Sequence, residues 1–483
     1  MFQRILNFIK GVIAKMFNTG TIKNALNIDV AISTEMEKAI ELFEKIYINE
    51  APWLKKNMVE SLELGAAIAN EFTRLTTLEM KSKITGSTRA NFLNEEYKKI
   101  KERLNENLEV GNAVGGLVFK PYVKDGKLYV DLVKGSCFYP TEFNSSGDII
   151  AGIFVSQLTK GNYIYTRLEY HKFYEQAIED DINYVIKNVA YKSTDNSILG
   201  TRIDLTKIPE WSNIQQETAI KYVQKPLFSY YKPPVANNID LDSPIGVSVY
   251  ARAIDLIKEA DRQWGRIVWE YEASEKAVYV DELATKPSDN KNKSFTVNKL
   301  RGRLYKTLNT GKAETDFFKD YSPEIRDEAL WRGLNKTLQR IEFNVGLAYG
   351  TLSEPSSVDK TATEIKSSKQ RSYATVSKMQ ENLQKALENL IYAMDVLTTL
   401  YNLAPQGNYE VSFNWDDSLI VDTEREQTLQ MQEVNANLRS KLKYIMFRYG
   451  MTEEQAQEEL DRIQQEKMSN QEAFGFTQNV EEE

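Results

Sequence analysis

The sequence predicts an α+β subunit, and three observations carry that reading. Residues 31–108 have helical periodicity, whereas Leu117 to about Ile203 alternates as strands do, and such segregation favours α+β over alternating α/β units. Asp125-Gly126 sits between two alternating apolar runs, the pattern of a tight antiparallel hairpin. Beyond the strands the chain returns to helices with apolar stripes at 3.6-residue spacing. The longest of these, Thr361 to about Tyr401, would extend roughly 60 Å at 1.5 Å per residue.

Composition bounds the function. The 483 residues suffice for roughly two to four domains and a sizeable core. A 42% hydrophobic and 27% charged balance excludes a disordered chain, and no apolar run approaches a transmembrane span. The net charge of −8 argues against a tight nucleic-acid binder, which carries a basic surplus. The single cysteine, Cys137, rules out an intramolecular disulfide framework and fits a reducing compartment.

Taken in order, residues 1–30 open with a basic, amphipathic stretch through Phe17. Lys10 and Lys15 interrupt any signal-peptide core, which leaves a docking helix, a membrane-surface helix or a disordered arm. Thr34 is the candidate N-cap of a helix through Phe43, and helices are expected over Leu62–Met80 and Phe92–Leu108. Gly111-Asn112-Ala113-Val114-Gly115-Gly116 reads as a close backbone turn. It is not a phosphate loop, because a strand rather than a helix follows. Strands are expected at Val118–Val123, Leu128–Val133, Ile149–Gln157, Tyr163–Tyr174 and Tyr184–Val189, and Leu227–Val235 reads as an extended connector.

A helix from Val249 to Tyr271 carries Tyr250, Ile254, Ile257, Trp264, Val268 and Tyr271. A second is expected from Ser322-Pro323, where Ser322 caps and Pro323 loses nothing by lacking an N–H; its stripe is Leu330, Leu334, Leu338, Ile341 and Val345. Between them, short β pieces (Ala277–Val280 and Leu304–Leu308) frame a basic segment. There Lys286, Lys291, Lys293, Lys299, Arg301, Arg303, Lys306 and Lys312 face only Asp289. Partner docking, nucleic-acid contact and simple solvation are all open for it.

Tyr349–Ser357 is a Gly/Pro/Ser breaker, and Thr361 with Glu364 forms a capping box that restarts the helix. Its stripe runs through Val376, Met379, Leu383, Leu387, Leu390, Met394 and Leu397. A strand at Tyr409–Phe413 and helices near Glu424–Asn437, Ser440–Tyr449 and Thr452–Glu466 follow, and residues 468–483 read as a flexible acidic tail.

Candidate chemistry is sparse. There is no nucleotide-binding P-loop. His171 and Cys137 stand alone in expected strands, with no cluster for a metal or a thiol–imidazole pair. Asp416, Asp417 and Asp422 are as well explained by a turn as by a divalent ion, so no metal, cofactor or catalytic residue is assigned. Lys360, Lys366, Lys369, Arg371 and Lys378 have Glu364 as their sole acidic companion after Asp359. They form either a solvated helix face or a surface that touches phosphates weakly and without sequence preference.

Several phrases, in order and spacing over the last half of the chain, resemble the portal proteins of tailed bacteriophages, in particular the type found in phages of Gram-positive hosts. They are Ser243-Pro244-Ile245-Gly246-Val247-Ser248 before Ala253-Ile254-Asp255, and Ile325-Arg326-Asp327-Glu328 leading through Gly346-Leu347-Ala348-Tyr349-Gly350 to Thr361-Ala362-Thr363-Glu364-Ile365. Trp415-Asp416-Asp417-Ser418 and Asp422-Thr423-Glu424-Arg425-Glu426 complete the set, and Cys137-Phe138-Tyr139-Pro140-Thr141 is a looser match in the N-terminal half.

The resemblance implies a helix-rich portal fold in a homo-oligomeric ring of about twelve subunits closing head-to-tail, with double-stranded DNA in the central channel. The acidic balance is compatible with that, since a channel gripping phosphates strongly would hinder sliding. By matching position the wing spans 31–242, the two-helix stem 243–275 and 322–348, and the clip 276–321. The channel loop spans 349–361, a long helix 362–403 and the crown 404–467. The loop residues are Gly350, Thr351, Leu352, Ser353, Glu354, Pro355, Ser356, Ser357, Val358, Asp359 and Lys360, with Lys360, Lys366, Lys369 and Arg371 facing DNA.

The implied role is non-enzymatic, at one capsid vertex of the virion after assembly in the host cytoplasm. The implied partners are the terminase large subunit, head–tail connector proteins, the major capsid protein and scaffolding protein, and no membrane. Two other classes remain open on the residues alone: a helical scaffold or adaptor, supported by the amphipathic helices, and a nucleic-acid enzyme, for which no constellation stands out.

Overall fold

A computed structural model of the chain describes residues 17–54, 59–178, 180–275, 277–281, 305–308, 318–321, 324–354, 362–415, 430–449 and 453–475. Side chains are outside the description at 277–281, 305–308, 318–321, 362–369, 447, 454 and 466–475. The chain divides into two compact units, Met1–Asn414 and Trp415–Glu483.

The first unit begins with helices α1 (Thr19–Leu26), α2 (Thr34–Tyr47) and α3 (Leu64–Thr77). Ser33 rather than Thr34 caps α2: its hydroxyl accepts from the Met36 N–H at 3.3 Å, and Glu35 and Glu37 favour the positive end of the helix. α3 stops short of the expected Met80 because residues 80–86 leave the helix as strand β1 (Met80–Gly86).

Helix α4 (Thr88–Val114) starts at the Ser87 cap and is longer than its apolar pattern suggests. Gly111 to Val114, expected in the turn, belong to this helix. Only Gly115, left-handed at φ 97°, and Gly116 reverse the chain.

Strands β2 (Leu117–Lys124) and β3 (Lys127–Lys134) form the expected hairpin, with Asp125 and Gly126 both left-handed (φ 51° and 69°) as a two-residue primed turn requires. Strands β4 (Phe138–Phe143), β5 (Ile149–Lys160), β6 (Tyr163–Phe173), β7 (Ile182–Ser193), β8 (Thr201–Ile203) and β9 (Glu217–Lys221) make one antiparallel sheet. Its order is β4-β5-β6-β7-β8, with β9 also on β7. Part of the expected connector is strand β10 (Ser229–Tyr231), which pairs antiparallel with β2.

Helix α5 (Ile254–Ala273) precedes a small sheet in which β11 (Ala277–Asp281) is flanked by β12 (Tyr305–Leu308), parallel, and β13 (Phe318–Tyr321), antiparallel. β13 carries no clear alternation and was not expected. Helix α6 (Asp327–Val345) starts later than Ser322-Pro323, which lie outside the described residues. Its first turn has Asp327 and Glu328 against the helix dipole, and no side chain accepts at the cap.

α5 and α6 pack antiparallel. Glu270 meets Arg326 through two hydrogen bonds (3.0 and 2.8 Å), Gln263 meets Thr337 (3.1 Å), and Trp264 contacts Trp331 edge-on at 5.7 Å. Near the middle of α5, the buried Asp261 accepts from the Trp53 indole (2.8 Å) and the Leu62 N–H (2.9 Å), tying the pair to the segment between α2 and α3.

Helix α7 (Ala362–Leu400) matches the expected long element. Val376, Met379, Leu383, Leu387, Leu390 and Met394 are completely buried, so the stripe read from the sequence is the core face. It packs on β2, β10 and α3. Strand β14 (Tyr409–Trp415) then pairs with β1, more than three hundred residues upstream.

In the second unit, helices α8 (Lys441–Tyr449) and α9 (Glu453–Gly475) pack on each other with Ile445 and Ala456 buried. α9 continues past the expected end at Glu466, so residues 468–475, assigned to a tail, are helical. The helix expected over Glu424–Asn437 is described only from residue 430, where it is helical to 435.

Candidate functional site

The junction between α6 and α7 concentrates the geometry. At its C-terminus α6 stops on Gly346, left-handed at φ 87°, and the Glu342 carbonyl accepts from the Gly346 (3.0 Å) and Leu347 (2.9 Å) N–H groups. The Glu342 side chain is completely buried and turns into the loop that follows. Its Oε1 accepts from the N–H groups of Gly350 (3.1 Å), Leu352 (2.6 Å) and Ser353 (2.8 Å), and its Oε2 from the Ser353 hydroxyl (2.9 Å). Backbone N–H groups of one short loop curled around an anion in this way make a nest-like anion site, here occupied by the chain's own carboxylate; the intervening Thr351 N–H donates to the Ala348 carbonyl instead.

Two further contacts hold the loop. The Glu354 N–H donates to Asn335 Oδ1 (2.8 Å) on α6, and the Thr351 hydroxyl donates to the Ala348 carbonyl (2.7 Å). A Cβ on Gly346 would stand 2.8 Å from the Thr375 hydroxyl, so the loop begins directly against α7. Arg371 of α7 lies over the rings of Phe343 (4.2 Å) and Tyr349 (5.8 Å).

Of the expected loop residues, Gly350, Thr351, Leu352, Ser353 and Glu354 are therefore brought together around Glu342. Pro355 to Lys360 lie outside the described residues. Lys366 and Lys369 sit on α7 with side chains outside the description, and Arg371 is exposed but stacked on two rings. Of the basic 286–312 set, only Lys306 falls in a described element, β12. Asp416, Asp417 and Asp422 also lie outside, and among the described residues no group of three or more His, Cys, Asp or Glu stands ready for a metal ion.

Sequence reasoning passed over Glu342. A signal existed: Glu342 is four residues after Leu338 and three before Val345, so an acid occupies the apolar face of α6 just before a glycine stop. It also passed over a basic face on the same helix, where Arg332, Lys336 and Arg340 are exposed at four-residue spacing with no carboxylate in ion-pair range among the described residues.

His171, expected as an ordinary strand residue, is buried in a charged cluster of the large sheet. Glu169 Oε2 accepts from Lys120 (2.7 Å) and Arg167 (2.8 Å), its Oε1 meets His171 Nε2 (3.0 Å), and His171 Nδ1 meets the Tyr184 hydroxyl (2.8 Å). Burial raises the Glu169 pKa, but Lys120, Arg167 and His171 together hold it well below the usual carboxylate range. Burial also pushes the His171 imidazole down, against the pull of Glu169. The cluster is enclosed by Phe154 and Phe228. Cys137 is buried as well, and burial pushes its thiol up.

A cleft of about 530 Å³ lies between the β4–β5 turn, residues 224–232 and α7. Its lysines are already engaged: Lys225 with Asn389 (3.1 Å), Lys232 with the Pro244 carbonyl (2.7 Å) and Lys385 with Asp148 (2.8 Å). Among the described residues no helix is long and apolar enough to cross a membrane.

A search among curated proteins finds no match. The family model described as phage portal protein, SPP1 Gp6-like, matches residues 78–473, a span that holds the large sheet, the α5–α6 pair, the Glu342-centred loop and α7. The chain belongs to the SPP1 Gp6-like family of phage portal proteins.

Proposed function

We propose that this portal subunit closes head-to-tail with about eleven others into a ring at one capsid vertex. Double-stranded DNA is packaged through its channel, retained, and later ejected. The observation that carries this reading is the loop after α6, seated on a buried carboxylate at the junction of the helix pair and the long helix α7. A segment that meets moving DNA repeatedly needs a rigid foot, and four hydrogen bonds to one carboxylate supply it.

The region from residue 31 to 242 acts as the outward wing, α5 and α6 as the stem, and 276–321 as the clip. The basic 286–312 segment docks the acidic surfaces of the terminase large subunit and then of the connector proteins, with charge complementarity setting encounter and orientation. Capsid and scaffolding proteins surround the ring during assembly in the host cytoplasm. Its DNA contacts are weak and indifferent to sequence, because free energy for transport comes from the motor and a strong grip would stall it. The subunit makes and breaks no covalent bonds.

Replacing Lys360, Lys366 and Lys369 together by Gln tests the DNA role. Ring assembly, read by native mass and negative-stain imaging, stays intact, while DNA protected from nuclease in filled heads falls at least about five-fold, as expected when repeated phosphate contacts are lost. Heads that fill and hold DNA normally would remove these lysines from the channel contact.

A further inference from the structure

We propose that Glu342 is the positioning residue of the channel loop: its buried carboxylate, clasped by the backbone of Gly350, Leu352 and Ser353, sets the direction in which the loop leaves α6. This role rests on the conduit reading above. A glutamate normally keeps its carboxylate in water. Here the side chain is fully buried, and its two oxygens accept from three backbone N–H groups and one hydroxyl. No lysine or arginine pairs with it among the described residues. The loop's own backbone and the Ser353 hydroxyl satisfy it, so the carboxylate and the loop conformation require each other.

The same residue ends the helix, since its carbonyl takes the Gly346 and Leu347 N–H groups. Helix end and loop foot are therefore fastened at one point. Gly350, at φ 90°, supplies the left-handed turn that brings the following N–H groups back onto Oε1. Neighbouring polar residues do not duplicate the anchor. Among the described residues Asn335 accepts from the Glu354 N–H, and Arg371 lies over the Phe343 and Tyr349 rings.

Glu342→Gln keeps the volume but removes the charge that strengthens these bonds. It also puts an amide that only donates where Oε2 now accepts from the Ser353 hydroxyl and the Gly350 N–H, so the hydroxyl must reverse and that N–H loses one acceptor. In the full-length variant, hydrogen exchange at the Gly350, Leu352 and Ser353 amides accelerates about ten-fold or more, while the amides of residues 383–394 in α7 keep their rates. Heads built with it assemble but retain at least about three-fold less nuclease-protected DNA, the expected cost of a loop no longer held in one geometry. Should that variant fold poorly, Ser353→Ala removes the hydroxyl that donates to Glu342 Oε2 and accepts from the Gly350 N–H (3.2 Å), and gives a smaller rise at the same amides.

Unchanged exchange in both variants would overturn the anchoring role. Faster exchange throughout α6 and α7 would make Glu342 a general stabiliser and overturn it too, as would faster local exchange with normal DNA retention. A wild-type chain that fails to support DNA entry in the same heads would instead sink the conduit reading, whatever the exchange rates.

Discussion

His171 and Glu169 show how one buried pair ties the fold to pH. A carboxylate only accepts, so the imidazole proton lies on Nε2 toward Glu169, and Nδ1 accepts from the Tyr184 hydroxyl. Lys120, Arg167 and, at 3.8 Å from Lys120, Asp131 are the other charges facing the pair. Because burial depresses the folded-state pKa of His171 below its ordinary 6.5, the unfolded chain binds that proton first on acidification. The stability it contributes is complete above about pH 6.5 and is lost as pH falls through the lower folded value. Glu169, also depressed, adds a second loss further down, below the ordinary 4.5. His171→Gln is expected to cost about 1–2 kcal/mol at pH 7.5 and to flatten the decline in urea midpoint between pH 6.5 and 5. An unchanged slope would show that the histidine does not carry it.

Among the elements, the approach of two glycines at the entrance to α5 explains the Ser243–Ser248 phrase. A Cβ on Gly246 would lie 2.2 Å from the Gly115 carbonyl oxygen, and one on Gly115 would lie 2.6 Å from the Gly246 carbonyl oxygen. Gly115 is also left-handed at φ 97°. The C-terminus of α4 and the segment feeding α5 touch backbone to backbone, which only glycine allows on both sides. Gly246→Ala is expected to destabilise by about 3 kcal/mol, since backbone rather than a flexible side chain must move. A thermal melt within a degree of wild type would refute the close approach. Legibility at this scale followed periodicity: the stripes of α6 and α7 and the β2–β3 turn were readable because their signals are local. β10 and β13 were not, being short strands whose pairing partners lie elsewhere in the chain.

For the whole molecule, one end of the helix pair carries a cluster of exposed apolar side chains. Trp269, Tyr271, Ile325 and Trp331 are all exposed there, at 49%, 43%, 47% and 36%. Solvent alone gives no reason for such a cluster, whereas a neighbouring subunit in the proposed ring would cover it. Trp269→Ser should leave the monomer's melting temperature within about 2 °C and weaken ring association at least about ten-fold, measured by native mass across a dilution series. A ring that persists at wild-type concentrations would place the contact elsewhere.

By itself the sequence determined the α+β class, the long helices and their buried faces, the loop between α6 and α7, and the portal family. Each of these is written in local periodicity, in turn residues, or in the order of short phrases along the chain. Only the tertiary structure decided that Glu342 is the loop's anchor, that Arg371 stacks on Phe343 and Tyr349, that His171 is part of a buried charged cluster, and that β1 pairs with β14. The physical reason is the same in each case. A polar or charged side chain in sequence shows what it can bond, and burial with particular neighbours decides what it does bond.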